Sequence, residues 1–194
     1  MKNILICMVF GVVAFCATSA RADLAQTVTV NANIATLADG LNVTVNKVID
    51  TVWNVDTSIN FDTLAWDTVN QIFLPNCYYA VDIVVSDNTA TEWTVTHTRA
   101  SLVGPGGANI DDKVNVVFVK QTSPSVGIEL KKLSFASSND VAYAKTFLVG
   151  GWLRIYYGVG TGDPAKPDAP GVTPIGLDSP AGTYTGSVTI TLTP

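Results

Sequence analysis

The sequence predicts an all-β protein made of two antiparallel sheets packed face to face, a β-sandwich, with a closed barrel as the alternative. Three observations lead there. Beyond residue 22 the chain is rich in Thr and Val, poor in Leu and free of Met, and β-branched side chains lose rotamer freedom in a helix but fit a pleated, half-buried surface. Apolar and polar residues alternate with period two in a series of short runs, and no segment longer than about ten residues repeats apolar positions at the spacing of a packed helix. Turn-forming clusters separate the runs at short intervals, as two stacked antiparallel sheets require.

Taken in order, the elements begin with a leader. Lys2 supplies a basic start, Ile4 to Cys16 form an apolar run, and Ala20-Arg21-Ala22 reads as a cleavage site, the pattern of a secretory signal peptide. The apolar run is shorter than the roughly 20 residues a membrane-spanning helix needs. The expected divisions are therefore a signal peptide over 1–22, an N-terminal strand over 23–40, and a sandwich domain over 41–194. The mature chain is expected to start at Asp23.

In the first mature strand, Val28, Val30, Ala32 and Ile34 alternate with Thr27, Thr29, Asn31 and Asn33. Such a strand can open its own sheet, or it can leave and complete the sheet of a neighbouring subunit by β-strand addition. Both arrangements predict the same alternation. Further strands are expected at Leu41–Ile49, Ser58–Leu64, Tyr78–Val85, Glu92–Thr98, Val114–Gln121, Val126–Leu133, Ala142–Val149 and Trp152–Val159, with one irregular turn within Asp62–Asn70. Turns are read at Asp39-Gly40, Ser86-Asp87-Asn88, Gly104-Pro105-Gly106-Gly107, Ser123-Pro124-Ser125 and Ser137-Ser138-Asn139-Asp140. The Pro- and Gly-rich run over 160–176 can be neither helix nor strand and is expected to be an exposed loop.

The closing strand carries Tyr184, Val188, Ile190 and Leu192 on one face. Pro180-Ala181-Gly182-Thr183 favours a turn, Tyr184 can bury its ring while its hydroxyl reaches nearby backbone, and Gly182 and Gly186 admit close backbone approach or a bulge.

The chemistry-bearing residues are few. Loss of the leader removes Lys2 and Arg21, leaving nine Lys and Arg against 16 Asp and Glu and a net charge of −7. This argues against nucleic acid as a partner. The leader also takes Cys7 and Cys16, so Cys77 remains without an intrachain disulfide partner and is read as a small buried side chain. His97, the one histidine, has no second histidine or thiol pair to make a zinc site or a nucleophile relay, and is read as a strand histidine. The loops Asp87-Asn88-Thr89 with Glu92, and Asn109-Ile110-Asp111-Asp112, are oxygen-rich but lack the spacing of a calcium loop. No cofactor, metal or catalytic residue is expected. Trp93 and Trp152 are read as core, and Trp53 and Trp66 as surface residues that, with Tyr156 and Tyr157, could stack sugars. The Asn42-Val43-Thr44 sequon receives no role.

Val149-Gly150-Gly151-Trp152-Leu153-Arg154-Ile155, a variable spacer, and Pro180-Ala-Gly-Thr-Tyr-Thr-Gly-Ser-Val-Thr-Ile-Thr-Leu192 together resemble the ending of secreted bacterial β-sandwich proteins of the spore coat protein U and archaic chaperone–usher pilin group. The phrase Ile59-Asn60-Phe61-Asp62-Thr63-Leu64 is similar to one of their early strands. The resemblance implies an immunoglobulin-like subunit, exported and assembled into surface fibres by donor-strand exchange. On this reading the protein is a non-enzymatic structural subunit of a surface filament, pilus or coat. It would pass through the periplasm to the cell surface, with other copies or surface subunits and an export chaperone as partners. Val28, Val30, Ala32 and Ile34 would form the assembly strand, and no membrane span would remain after signal removal. The alternative is an extracellular carbohydrate-binding or adhesin-like module.

Overall fold

Among the described residues, Thr- and Val-rich alternation becomes twelve strands in two sheets. The computed structural model describes residues 26–35, 41–85, 92–122, 128–134, 139–144, 151–163 and 172–193. The strands are β1 (Gln26–Ala35), β2 (Leu41–Ile49), β3 (Val52–Asp56), β4 (Ile59–Asp67), β5 (Ile72–Leu74), β6 (Tyr78–Val85), β7 (Glu92–Val103), β8 (Val114–Thr122), β9 (Ile128–Ser134), β10 (Asn139–Ala144), β11 (Gly151–Val159) and β12 (Thr183–Thr193). The first sheet runs β10-β7-β12-β1-β4-β5 and the second β3-β2-β6-β11-β8-β9. Neighbours pair antiparallel, except that β1 and β12 run parallel. Helical structure among the described residues is limited to 3-10 turns at Pro105–Gly107 and Asp111–Lys113.

Alternation puts one face of each sheet into a shared core. The second sheet supplies Tyr79, Val81 and Ile83, then Val114, Val116 and Phe118, then Leu153, Ile155, Tyr157 and Val159. The first supplies Ile59, Phe61, Leu64, Leu102, Tyr184, Val188 and Ile190. The sheets meet through rings: Phe61 and Tyr79 pack edge to face at 5.5 Å between centroids. Full burial of such a side chain stabilises the fold by about 1.5–3 kcal/mol.

Two bulges adjust the alternation. On β4, Phe61 and Asp62 together oppose Val28, because Asn60 pairs with Thr29 and Thr63 with Thr27. Asp62 absorbs the extra residue at φ 54°, and core positions therefore step by three from Phe61 to Leu64. On β7, Ser101 and Leu102 oppose Gly186, since Thr185 pairs with Val103 and Ser187 with Ala100. A Cβ on Gly186 would lie 2.7 Å from the Ala100 carbonyl oxygen, so glycine is what permits this approach.

The turn ahead of β12 takes the form its sequence predicts. Tyr184 is fully buried, and its hydroxyl donates to the Pro180 carbonyl at 2.7 Å. Its ring covers Gly104, where a Cβ would meet Tyr184 Cε1 at 2.5 Å, while Gly182, at φ 148°, lies against Pro105. The start of the β7–β8 crossover is thus clamped to the start of β12.

Several expectations change. Short strands β3 and β5 were not foreseen. The Ile49–Val52 hairpin turns through Asp50 at φ 48° and Thr51 at φ 79°, the conformation of a type I′ turn, in which Asn-Gly or Asp-Gly is the usual signal and threonine is rare. Asp67 holds the β4–β5 turn by accepting from the Val69 and Asn70 amides at 2.8 and 3.2 Å, so β4 continues through most of the stretch read as irregular. Strand β10 starts at Asn139, inside the expected Ser-Ser-Asn-Asp turn, with Asn139 opposite His97. The far end of the Pro-rich run is not exposed loop: Ile175 is fully buried, and its carbonyl accepts from the Phe73 amide at 2.8 Å. That contact covers the outer edge of β5. Residues 164–171, at the centre of the run, lie outside the described residues.

Candidate assembly site

The two sets of residues singled out as assembly strand and closing strand are neighbours. β1 lies in the interior of the first sheet, hydrogen-bonded to β12 on one side and β4 on the other. Its register with β12 is unbroken over nine pairs, from Thr27 opposite Thr183 to Ala35 opposite Thr191. Val28 stands opposite Tyr184, Val30 opposite Gly186, Ala32 opposite Val188 and Ile34 opposite Ile190. Of these register partners on β12, Tyr184, Val188 and Ile190 are each wholly buried in the core. Leu192, the last of the closing set, pairs with Val95 on the other side of β12.

Pairing on the β4 side is shorter. It covers Gln26 to Val30 and ends where β4 starts at Ile59. The slot that holds β1 is consequently lined by β12 along its whole length and by β4 along half of it. The rest of the sandwich meets β1 through one covalent connection, residues 36–40, which with Asp39-Gly40 lie outside the described residues, as do the expected leader and its cleavage site.

Ion pairs and hydrogen bonds hold the ends of the sandwich around this slot. Lys47 of β2 pairs with Asp62 at the β4 bulge, and Tyr79 donates its hydroxyl to the Asn60 carbonyl at 2.8 Å, so both cross between sheets. Near the start of β12, Asp111 is buried beside Arg99, whose Nη1 donates to its Oδ2 at 2.8 Å. The Leu102 amide donates to Asp111 Oδ1 at 2.6 Å and Asn109 Nδ2 to Oδ2 at 3.1 Å. The Asn109–Asp112 loop, read from sequence for its oxygen atoms, thus turns one carboxylate inward as a structural anchor. Sequence reasoning missed this role because Arg99 and Asp111 lie twelve residues apart across a crossover whose path no local pattern specifies.

Other singled-out residues disperse. His97 is fully buried, packed at 5.9 Å against both Phe118 and Tyr157. Neither ring nitrogen reaches another residue's polar atom, and burial pulls its pKa down to about 4, with Arg99 adding to the effect. Cys77 is buried in the core, as expected of a small apolar side chain. Trp53 is exposed as expected, whereas Trp66 is half-buried and packs on the core, its ring 4.8 Å from that of Phe73. Tyr157 is likewise wholly buried, which removes it from any sugar-stacking surface. The side chains of Trp93, Trp152, Asn42 and Glu92, and the Asp87-Asn88-Thr89 turn, lie outside the described residues. Among the described residues no group of three or more His, Cys, Asp or Glu side chains is gathered, and no helix is long and apolar enough to cross a membrane.

No family model matches the chain, and no curated protein or solved structure is detectably similar to it.

Proposed function

We propose that this protein is an exported, non-enzymatic structural subunit, with an immunoglobulin-like sandwich, that builds a bacterial surface filament, pilus or coat by β-strand complementation through β1. The observation that carries the reading is the position of β1: an interior strand of the first sheet, in unbroken register with β12, joined to the rest of the sandwich through 36–40. Cleavage after Ala22 leaves β1 three residues from the new N-terminus. A terminal strand can then be withdrawn and replaced by the same strand of another copy without threading a loop. Exchange preserves every β1–β12 and β1–β4 hydrogen bond, so the balance between closed monomer and chain is set by linker strain and concentration rather than by new contacts. Donation from one copy to the next is head-to-tail and does not close on itself, which yields a filament. The likeness of the Thr183–Leu192 ending to pilin-like endings supports the same reading. Other copies or related surface subunits are the partners, with an export chaperone holding the slot in the periplasm.

The test uses the mature chain, 23–194, incubated with excess labelled synthetic peptide of residues 23–35. The expected result is a concentration-dependent series of high-mass species that takes up the peptide at one per shortened chain. A mature protein that stays monomeric at every concentration and ignores the peptide contradicts the proposal.

A further inference from the structure

The outer face of the second sheet is occupied by large side chains with no place in the core. Trp53 projects from the edge strand β3 and is 41% exposed, and Val55 beside it is 79% exposed. Across the sheet, the Arg154 guanidinium of β11 lies 4.3 Å from the centre of the Trp53 ring and 5.7 Å from that of Tyr156. The Tyr156 and Tyr78 rings meet at 5.9 Å. Arg154 also grips Asp82 on β6 with two hydrogen bonds, the Nη2 one at 2.7 Å, and its Nη1 lies 3.3 Å from the Tyr156 hydroxyl. Asn46 of β2 points its amide at Asp82 from 3.4 Å. Three aromatic rings therefore border a polar centre whose geometry is fixed before any ligand arrives.

The charge of this face limits what it can hold. The described side chains projecting from β3, β2, β6 and β11 on this side include one cation, Arg154, and one anion, Asp82, and these neutralise each other. Among the described side chains of these four strands an anionic ligand finds no uncompensated positive charge, and the chain as a whole is acidic. A neutral pyranose meets both halves of the surface: its C–H face stacks on an indole or phenol ring, and its hydroxyls reach spare lone pairs of a carboxylate, amide oxygen or phenol at the rim. The platform is borne on paired strands, not loops, which suits an extended glycan laid across it.

We propose that the Trp53, Tyr78 and Tyr156 face, centred on the Arg154–Asp82 pair, is a binding platform for a neutral polysaccharide. The platform is independent of strand exchange, since one copy of the sandwich contains all of it. Failure of assembly leaves it intact, and its failure leaves assembly intact.

The experiment is affinity electrophoresis of the mature protein through gels containing hydroxyethyl cellulose, mannan or dextran, with pull-down on insoluble cellulose and chitin, and heparin as the anionic probe. Retention by at least one neutral glycan is expected, with Trp53→Ala weakening it about tenfold or more, the loss typical of an aromatic anchor. Trp53→Phe should retain part of the binding. Val69→Ala, at an exposed turn position away from this face, should bind as the parent does. Thermal midpoints confirm that the variants are folded, and Trp53→Phe decides the matter should Trp53→Ala fail to fold. Retention by no neutral glycan, retention that both Trp53 variants leave unchanged, binding to heparin alone, or an effect of Trp53 confined to association between copies would each overturn the proposal.

Discussion

Arg99→Met is expected to destabilise the protein by about 3–5 kcal/mol, because it strips the countercharge from a carboxylate that the fold has already buried. Asp111 retains its hydrogen bonds from Leu102 and Asn109, but these do not neutralise it. Methionine preserves much of the arginine stem's volume, so the loss reports charge rather than a cavity. Urea denaturation of the single variant, and of Arg99→Met with Asp111→Asn, measures the effect. The double variant should recover most of the loss, since removing both charges is far less costly than orphaning one. A single-variant cost below about 1 kcal/mol, the scale of an exposed ion pair, would mean that Arg99 and Asp111 do not anchor the β7–β8 crossover.

Acidification should weaken the fold through His97. The folded pKa lies at about 4, below the ordinary value of 6.5, and burial is the main cause. Between those values the unfolded chain binds a proton that the folded chain refuses, so stability rises with pH across this window. The contribution is complete above pH 6.5, falls as pH drops toward 4, and amounts to about 3 kcal/mol for a shift of this size. His97→Phe keeps a ring against Phe118 and Tyr157 and removes two buried nitrogens that lack partners, so the variant should lose about 3 kcal/mol less than the parent between pH 7 and pH 4. Parallel pH profiles by chemical denaturation would contradict this.

The sandwich class was legible because its cause is local. Each strand announces itself through alternation, and the Pro180–Tyr184 turn through residues whose conformational demands are specific. The β4 bulge and strand β3 were not legible, whereas the bulge opposite Gly186 was signalled by that glycine. Asp62 and Thr51 sit at positive φ against their intrinsic preference, held there by a sheet that sequence does not display. Trp66 and Ile175 were misread for a related reason: each looks irregular in sequence, and each reaches the core through contacts between segments far apart in the chain. The outer-face cluster of Trp53, Asp82 and Arg154 brings together three strands, and no spacing along the chain encodes that meeting. For β1, alternation gave the strand and its apolar face, while its neighbour β12, more than 150 residues away, emerged only from the register.

Register also supplies the most direct test of strand donation. Asn33 stands opposite Thr189, and neighbouring strands about 4.8 Å apart bring such a pair within disulfide reach. With Cys77 replaced by Ala, mature chains carrying only Asn33→Cys are assembled together with chains carrying only Thr189→Cys, oxidised, and separated on a non-reducing gel. Strand complementation predicts disulfide-linked dimers between the two kinds of chain. The contradicting result is no cross-link in the mixture while a single chain carrying both cysteines closes its own disulfide as a monomer, which would fix β1 as a strand of its own sheet alone.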